Sequence, residues 1–160
     1  MKIISLYTND KQLIKKAASD NRQAQQALYE KFSPKMLSVC RQYVKDLQFA
    51  EDVMVNGFVK VFKHLNSFKH EGSFEGWIRK IMVRESISHL RKQQFVVYDN
   101  DIIERNDDLG TLQSSELDVA HIQLLIDALP TGYRTIFILN TVEGYKHQEI
   151  ATMLDISEST

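Results

Sequence analysis

Apolar residues recur every three or four positions through almost the whole of a 160-residue chain, and only two prolines and six glycines interrupt them. That spacing lines apolar side chains along one side of successive α-helices and does not suit a strand, which needs a period of two. The expected fold class is therefore all-α. In SPKMLSVCRQYVKD, residues Met36, Leu37, Val39, Cys40, Tyr43 and Val44 form one stripe, and Ser33–Pro34 reads as a start signal, a capping hydroxyl before a proline. Residues 9–18 and 20–32 read as two further helices upstream. Asp46 is placed to cap LQFAEDVMVNGFVKVFKHL, whose apolar face would hold Phe49, Val53, Phe58, Val61, Phe62 and Leu65. A polar loop, NSFKHEGS, precedes FEGWIRKIMVRESISHLRKQQ, a helix with Phe74, Trp77, Ile78, Ile81 and Leu90 inward and Arg79, Lys80, Arg84, Arg91 and Lys92 over its other sides.

The pattern breaks near residue 96. From Val96 to Asp118 there are seven acidic residues and one basic residue, Arg105, with few apolar side chains. Such a stretch cannot bury enough surface to order itself, so 96–114 reads as a flexible acidic linker between a helical domain at 1–95 and a smaller one at 115–160. In the latter, LDVAHIQLLIDAL is a helix, Leu129–Pro130 opens another with Tyr133, Ile136, Phe137 and Leu139 apolar, and Gly144 ends it. The last stretch, VEGYKHQEIATMLDISEST, has the form of half a helix-turn-helix: a helix from His147 to Leu154, small Ala151 at the crossing, Leu154 and Ile156 flanking the turn, Asp155 where a left-handed residue is needed, and Ser157 able to cap a second helix.

Composition excludes several classes. No run approaches the roughly 18 apolar residues of a membrane-spanning helix, the N-terminus is too short in apolar residues for a secretory signal, and the single Cys40 excludes an internal disulfide and fits a reducing compartment. The five histidines form no metal-ligand pattern, and none of the familiar catalytic or phosphate-cradling motifs occurs. Cys40, on an apolar stripe with no base near it in sequence, fits a buried structural thiol. The adjacent acids Glu51 and Asp52 point about 100° apart on a helix, unsuited to paired acid–base work; they make either a solvated face or an acidic docking surface. With a net charge of −1, any nucleic-acid binding must come from a local cluster, and Arg79–Lys92 supplies one with five basic residues and one acid.

Taken together, AEDVMVNGFVKVFKHL, the S-F-x-x-W-[IL] signature within FKHEGSFEGWIRKIMVRESISHLRK, and LIDALPTGYRTIFILNTVEGYKHQEIATMLDIS, with Arg134 and E-G-x-x-x-x-E-I-A, resemble in order and spacing regions 2.2, 2.3–2.4 and 4 of bacterial extracytoplasmic-function sigma factors. The resemblance implies a non-enzymatic, cytoplasmic protein with no metal, cofactor or small-molecule substrate and no membrane insertion, which guides core RNA polymerase to promoter DNA and is held by an anti-sigma protein. By the same resemblance, Glu51, Asp52 and Asn56 would contact the polymerase. Asn66, Ser67, Lys69 and His70 in the loop, with Arg79, Lys80, Arg84, Arg91 and Lys92 on the helix, would capture the -10 element as a single strand. Lys146, His147, Gln148, Ser157, Ser159 and Thr160 would meet the -35 duplex, and the linker would follow basic channels of the polymerase. The chain departs from the family at Asn56–Gly57, where Gln-Glu is usual, and Gly57 inside a helix costs about 1 kcal/mol against Ala. The helix that would enter the major groove is expected beyond Thr160, so residues 1–160 are expected to keep polymerase and -10 binding and to lack most -35 affinity. A helix-turn-helix regulator acting without polymerase would account for residues 142–160 but not for the S-F-x-x-W segment; a DNA-independent adaptor would leave the basic helix without a role.

Overall fold

The computed structural model describes residues 10–93 and 119–158. Among them are seven α-helices and no strand: α1 (Asp10–Ala18), α2 (Arg22–Tyr43), α3 (Leu47–Lys63), α4 (Phe74–Lys92), α5 (Val119–Ala128), α6 (Thr131–Phe137) and α7 (His147–Leu154). The all-α expectation holds. The chain divides into two compact units, one within residues 1–89 and one within 90–160. The expected linker at 96–114 lies outside the described residues.

In the first unit, α1 and α2 meet at a corner that Asp20 makes possible by adopting a left-handed backbone, φ +58°, which Asp tolerates better than most side chains. Asn21 then caps α2, its side-chain oxygen accepting the Ala24 N–H at 2.9 Å. The next 22 residues form a single helix. Ser33 and Pro34 therefore do not open a new helix as their order suggested; Pro34 sits in the interior of α2. Proline there removes the N–H that would pair with the Glu30 carbonyl, at about 3 kcal/mol. The stripe Ala24, Leu28, Phe32, Met36, Val39, Cys40 and Tyr43 runs unbroken across it, each residue buried. Full burial of a large apolar side chain contributes about 1.5–3 kcal/mol, so the stripe outweighs the proline.

Asp46 caps α3 as its position implied, accepting the Phe49 N–H at 3.0 Å. The buried side of α3 is Ala50, Val53, Met54, Gly57, Phe58 and Val61. Phe49 is not part of it: 48% exposed, it lies at the flank of the helix with its ring 5.7 Å from that of His89 on α4. Gly57, two turns on, is where α3 comes closest to α4. A Cβ built on Gly57 would lie 2.4 Å from the Met82 sulfur and 3.0 Å from its methyl, so the glycine is a notch that the Met82 side chain fills. Early α3 meets late α4 at Phe49 and His89, and later α3 meets earlier α4 at Gly57 and Met82, so the two helices run in opposite directions.

In the second unit, Pro130 precedes α6 and its carbonyl accepts the Arg134 N–H at 2.9 Å. The buried side here is Arg134, Thr135, Ile138 and Leu139, whereas Tyr133 and Phe137, expected on an apolar face, are exposed. Burial lowers the pKa of the Arg134 guanidinium from its usual value. The helix widens into a π-helical turn at Ile138–Val142, and Gly144, at φ +76°, ends it as the sequence indicated. Helix α7 spans the residues the sequence assigned to it. Its Ile150 and Leu154 are buried, and Asp155 takes the left-handed conformation at φ +59°. The Ile156 N–H then returns to the Ala151 carbonyl at 3.0 Å, the hydrogen bond that closes a helix at a left-handed residue.

Candidate nucleic-acid interface

The segment between α3 and α4 is ordered by its own backbone and by one buried ring. After α3, a 3-10 turn at Leu65–Ser67 bonds Ser67 N–H to the His64 carbonyl at 2.8 Å, and the Ser67 hydroxyl donates to the same oxygen at 2.6 Å. Phe68 is buried, with ring centroids 4.7 Å from His70, 5.2 Å from Phe74 and 5.4 Å from Trp77. Left-handed backbone at His70 (φ +58°) and Gly72 (φ +90°) turns the chain back to Ser73, whose hydroxyl oxygen accepts the Gly76 N–H at 3.0 Å to start α4. The outcome is a short loop with Asn66, Ser67, Lys69 and His70 all exposed on a base of packed rings.

On α4 the basic residues separate by register. Arg79 shares the stripe of Val83 and Ser86, both buried, and is itself half-buried; it is turned more toward the protein than the sequence reading placed it. Lys80 and Arg84, one turn apart, are exposed. Trp77, three and seven residues before them, lies on the same side; it is half-buried, stacked on Phe74 at 5.8 Å, and so stands at the edge of the core, not within it. Arg91 and Lys92 are exposed in the last turn of α4, past the end of the first unit. Such an arrangement places cations for phosphates beside half-buried Trp77 and exposed His70, the rings of this group that unstacked bases can reach. Sequence reasoning named the loop and the cations; the ring base was harder to see because Phe68, Phe74 and Trp77 come together only when the loop folds back.

The opposite helix has a second exposed surface. Glu51, Asp52 and Asn56 on α3 are all exposed, and so are Val55 (46%) and Val59 (60%) beside them. These valines join Leu47 and Phe49 as exposed apolar residues of α3, and Asp52, Val55, Asn56 and Val59 follow a helical spacing that carries the signal. A mixed acidic and apolar strip of this kind suits a protein partner.

In the second unit, Lys146, His147 and Gln148 are exposed at the start of α7. The Lys146 N–H donates to the Glu149 carboxylate at 2.8 Å; lysine has no side-chain acceptor to return the bond, so only this half of a capping box exists. Ser157 is exposed after the turn. Ser159 and Thr160 lie outside the described residues.

Cys40 is buried and interacts with Ser86 of α4; burial raises its pKa from 9.0 to about 11, only partly opposed by the Ser86 hydrogen bond. It is a packing residue of the α2–α4 contact, as its apolar stripe suggested.

These features describe a helical protein with a cationic, ring-based surface on one helix and an acidic–apolar surface on its neighbour. Residues 28–96 match the family model for sigma-70 region 2, and residues 121–160 match that for sigma-70 region 4. The chain is 26% identical to the RNA polymerase sigma-H factor of Pseudomonas aeruginosa, over 94% of its own length and 85% of that protein's. It is 28% identical to the ECF RNA polymerase sigma factor SigX of Bacillus subtilis, over 84% and 74% of the two chains. Its fold is similar to that of CnrH in a complex with the cytosolic domain of CnrY, with a TM-score of 0.52 at 21% identity over 94% and 85% of the chains. The chain belongs to the sigma-70 family of RNA polymerase sigma factors, in its extracytoplasmic-function group. Among the described residues no helix is long and apolar enough to cross a membrane.

Proposed function

We propose that this sigma factor divides its work between the two neighbouring helices of its first unit. The face of α3 that carries Asp52, Val55, Asn56 and Val59, with Glu51 at its margin, docks on core RNA polymerase. The loop residues Asn66, Ser67, Lys69 and His70, with Lys80 and Arg84 of α4, hold the non-template strand of the -10 element, its unstacked bases lying toward His70 and the exposed edge of Trp77. Half-buried Arg79 supports this surface from beneath, and Arg91 and Lys92 add cations at the end of α4. In the second unit, Lys146, His147 and Gln148 are in position for phosphates of the -35 duplex; Ser157, Ser159 and Thr160 belong to the same contact. An anti-sigma protein is the partner expected to compete for these surfaces, and the structure of CnrH in complex with the cytosolic domain of CnrY supports a protein partner for this fold.

The observation that carries the reading is the separation of the two exposed surfaces: acid and valine on α3, cation and aromatic ring around α4. A double charge reversal, Lys80→Glu with Arg84→Glu, is expected to reduce open-complex formation at least tenfold, since each lost phosphate contact removes a released counterion and now repels the strand. Retention of core polymerase in a pull-down at low salt should be unchanged. A protein that fails to bind core polymerase at low salt would rule out this division.

A further inference from the structure

Helix α4 carries two acids, Glu75 and Glu85, and each is held by a lysine from a different helix. Lys35 of α2 pairs with Glu75 and Lys60 of α3 pairs with Glu85. The Glu85 carboxylate is drawn in from the surface, its side chain 16% exposed, and that of Glu75 is less so at 39%, whereas their lysine partners are 53% and 60% exposed. Glu75 lies in the first turn of α4, where a carboxylate is favourable on its own account. Glu85 has no such reason to be present: it follows Arg84 directly, in the middle of the cationic stretch, and it faces Lys60 across the helix pair. The ion pairs therefore run from the acids of α4 outward to α2 and α3, and Lys80 and Arg84 of α4 are exposed.

We infer that Lys60, and secondarily Lys35, are positioning residues for nucleic-acid capture. They touch neither strand nor polymerase; they hold the two carboxylates of α4 away from the phosphate path and offset their charge, so that Lys80 and Arg84 act as a cationic surface. This inference rests on the proposed strand-binding role of α4. Exposed ion pairs of this type add little to folding stability, which leaves the placement of charge as the consequence that matters. Without Lys60, Glu85 would carry an uncompensated negative charge directly after Arg84, and its repulsion of a strand held there would weaken as salt rises.

The test uses holoenzyme assembled from the full chain and core polymerase, with a fluorescent single-stranded oligonucleotide that carries the non-template -10 strand of a promoter the wild-type holoenzyme opens. Lys60→Met is expected to weaken strand binding about two- to fivefold at low salt, converging on wild type as salt rises. Glu85→Gln is expected to bind more tightly than wild type, Lys60 then being an unpaired cation; a merely structural role for the pair would leave binding unchanged. The double variant is expected to return to within about twofold of wild type, the acid being absent together with its partner. Thermal melts of all three establish that they fold. Wild-type binding by Lys60→Met overturns the inference. So does a loss that persists in the double variant, since Lys60 would then touch the strand itself. If instead Lys80→Glu with Arg84→Glu leaves strand binding unchanged, the strand-binding role of α4 fails, separately from the role of Lys60.

Discussion

Gly57 and Cys40 show how much a single position contributes to the pairing of these helices. With no side chain at 57, α3 comes close enough to α4 for the Met82 sulfur to occupy the space a Cβ would need. Gly57→Val is expected to destabilise the first unit by about 2 kcal/mol, because overpacking of a filled site forces side chains off their rotamers; the midpoint of chemical unfolding checks it. Gly57→Ala should cost less, since the flexible end of Met82 can move and Ala recovers about 1 kcal/mol of helix propensity. At Cys40 the folded-state pKa of about 11 exceeds the unfolded value of 9.0. A raised pKa means that the folded protein holds the proton more tightly, so its contribution is fully present below pH 9 and declines as pH rises toward 11. Correspondingly, Cys40 should resist alkylation at pH 8 until the protein unfolds, and a thiol that reacts at the rate of a free cysteine would contradict its burial.

Whole elements were largely legible, and the exceptions share a cause. The bounds of α7, the cap at Asp46, the left-handed Asp155 and the stop at Gly144 all follow from local chemistry that one or two residues dictate. Three features were not local. Helix α2 continues through Pro34 because its buried stripe extends on both sides, and nothing within a turn of the proline reports that. Phe49 has the spacing of a core residue on α3, but it lies at the margin of the α3–α4 contact beside His89, a place that only the packing of the two helices defines. Arg134 is buried where Tyr133 and Phe137 have the more apolar side chains, a choice that only tertiary packing makes. If α2 is continuous as described, Pro34→Ala restores the missing hydrogen bond to the Glu30 carbonyl. It should then stabilise the protein by about 1–3 kcal/mol, seen as a higher Tm; a lower Tm would mean that the proline is required where it stands.

At the scale of the whole molecule, a net charge of −1 conceals an uneven distribution that the fold turns to use. The sequence revealed the cations of the candidate site but not the company they keep: the ring base beneath the loop, the exposed valines on α3, and the lysines that hold the acids of α4. Val55→Asp with Val59→Asp is expected to abolish retention by core polymerase while thermal stability stays near wild type, since both side chains are already in water. The mirror result, polymerase bound and promoter closed, is expected for reversal at Lys80 and Arg84. The notch at Gly57 also has a consequence for how relatives diverge. Because one atom of Met82 fills the place of one missing side chain, positions 57 and 82 are not free to drift separately. Family members with a larger residue at the position of Gly57 should have a shorter one at that of Met82, a compensating pair that aligned descendants of a common ancestor would display.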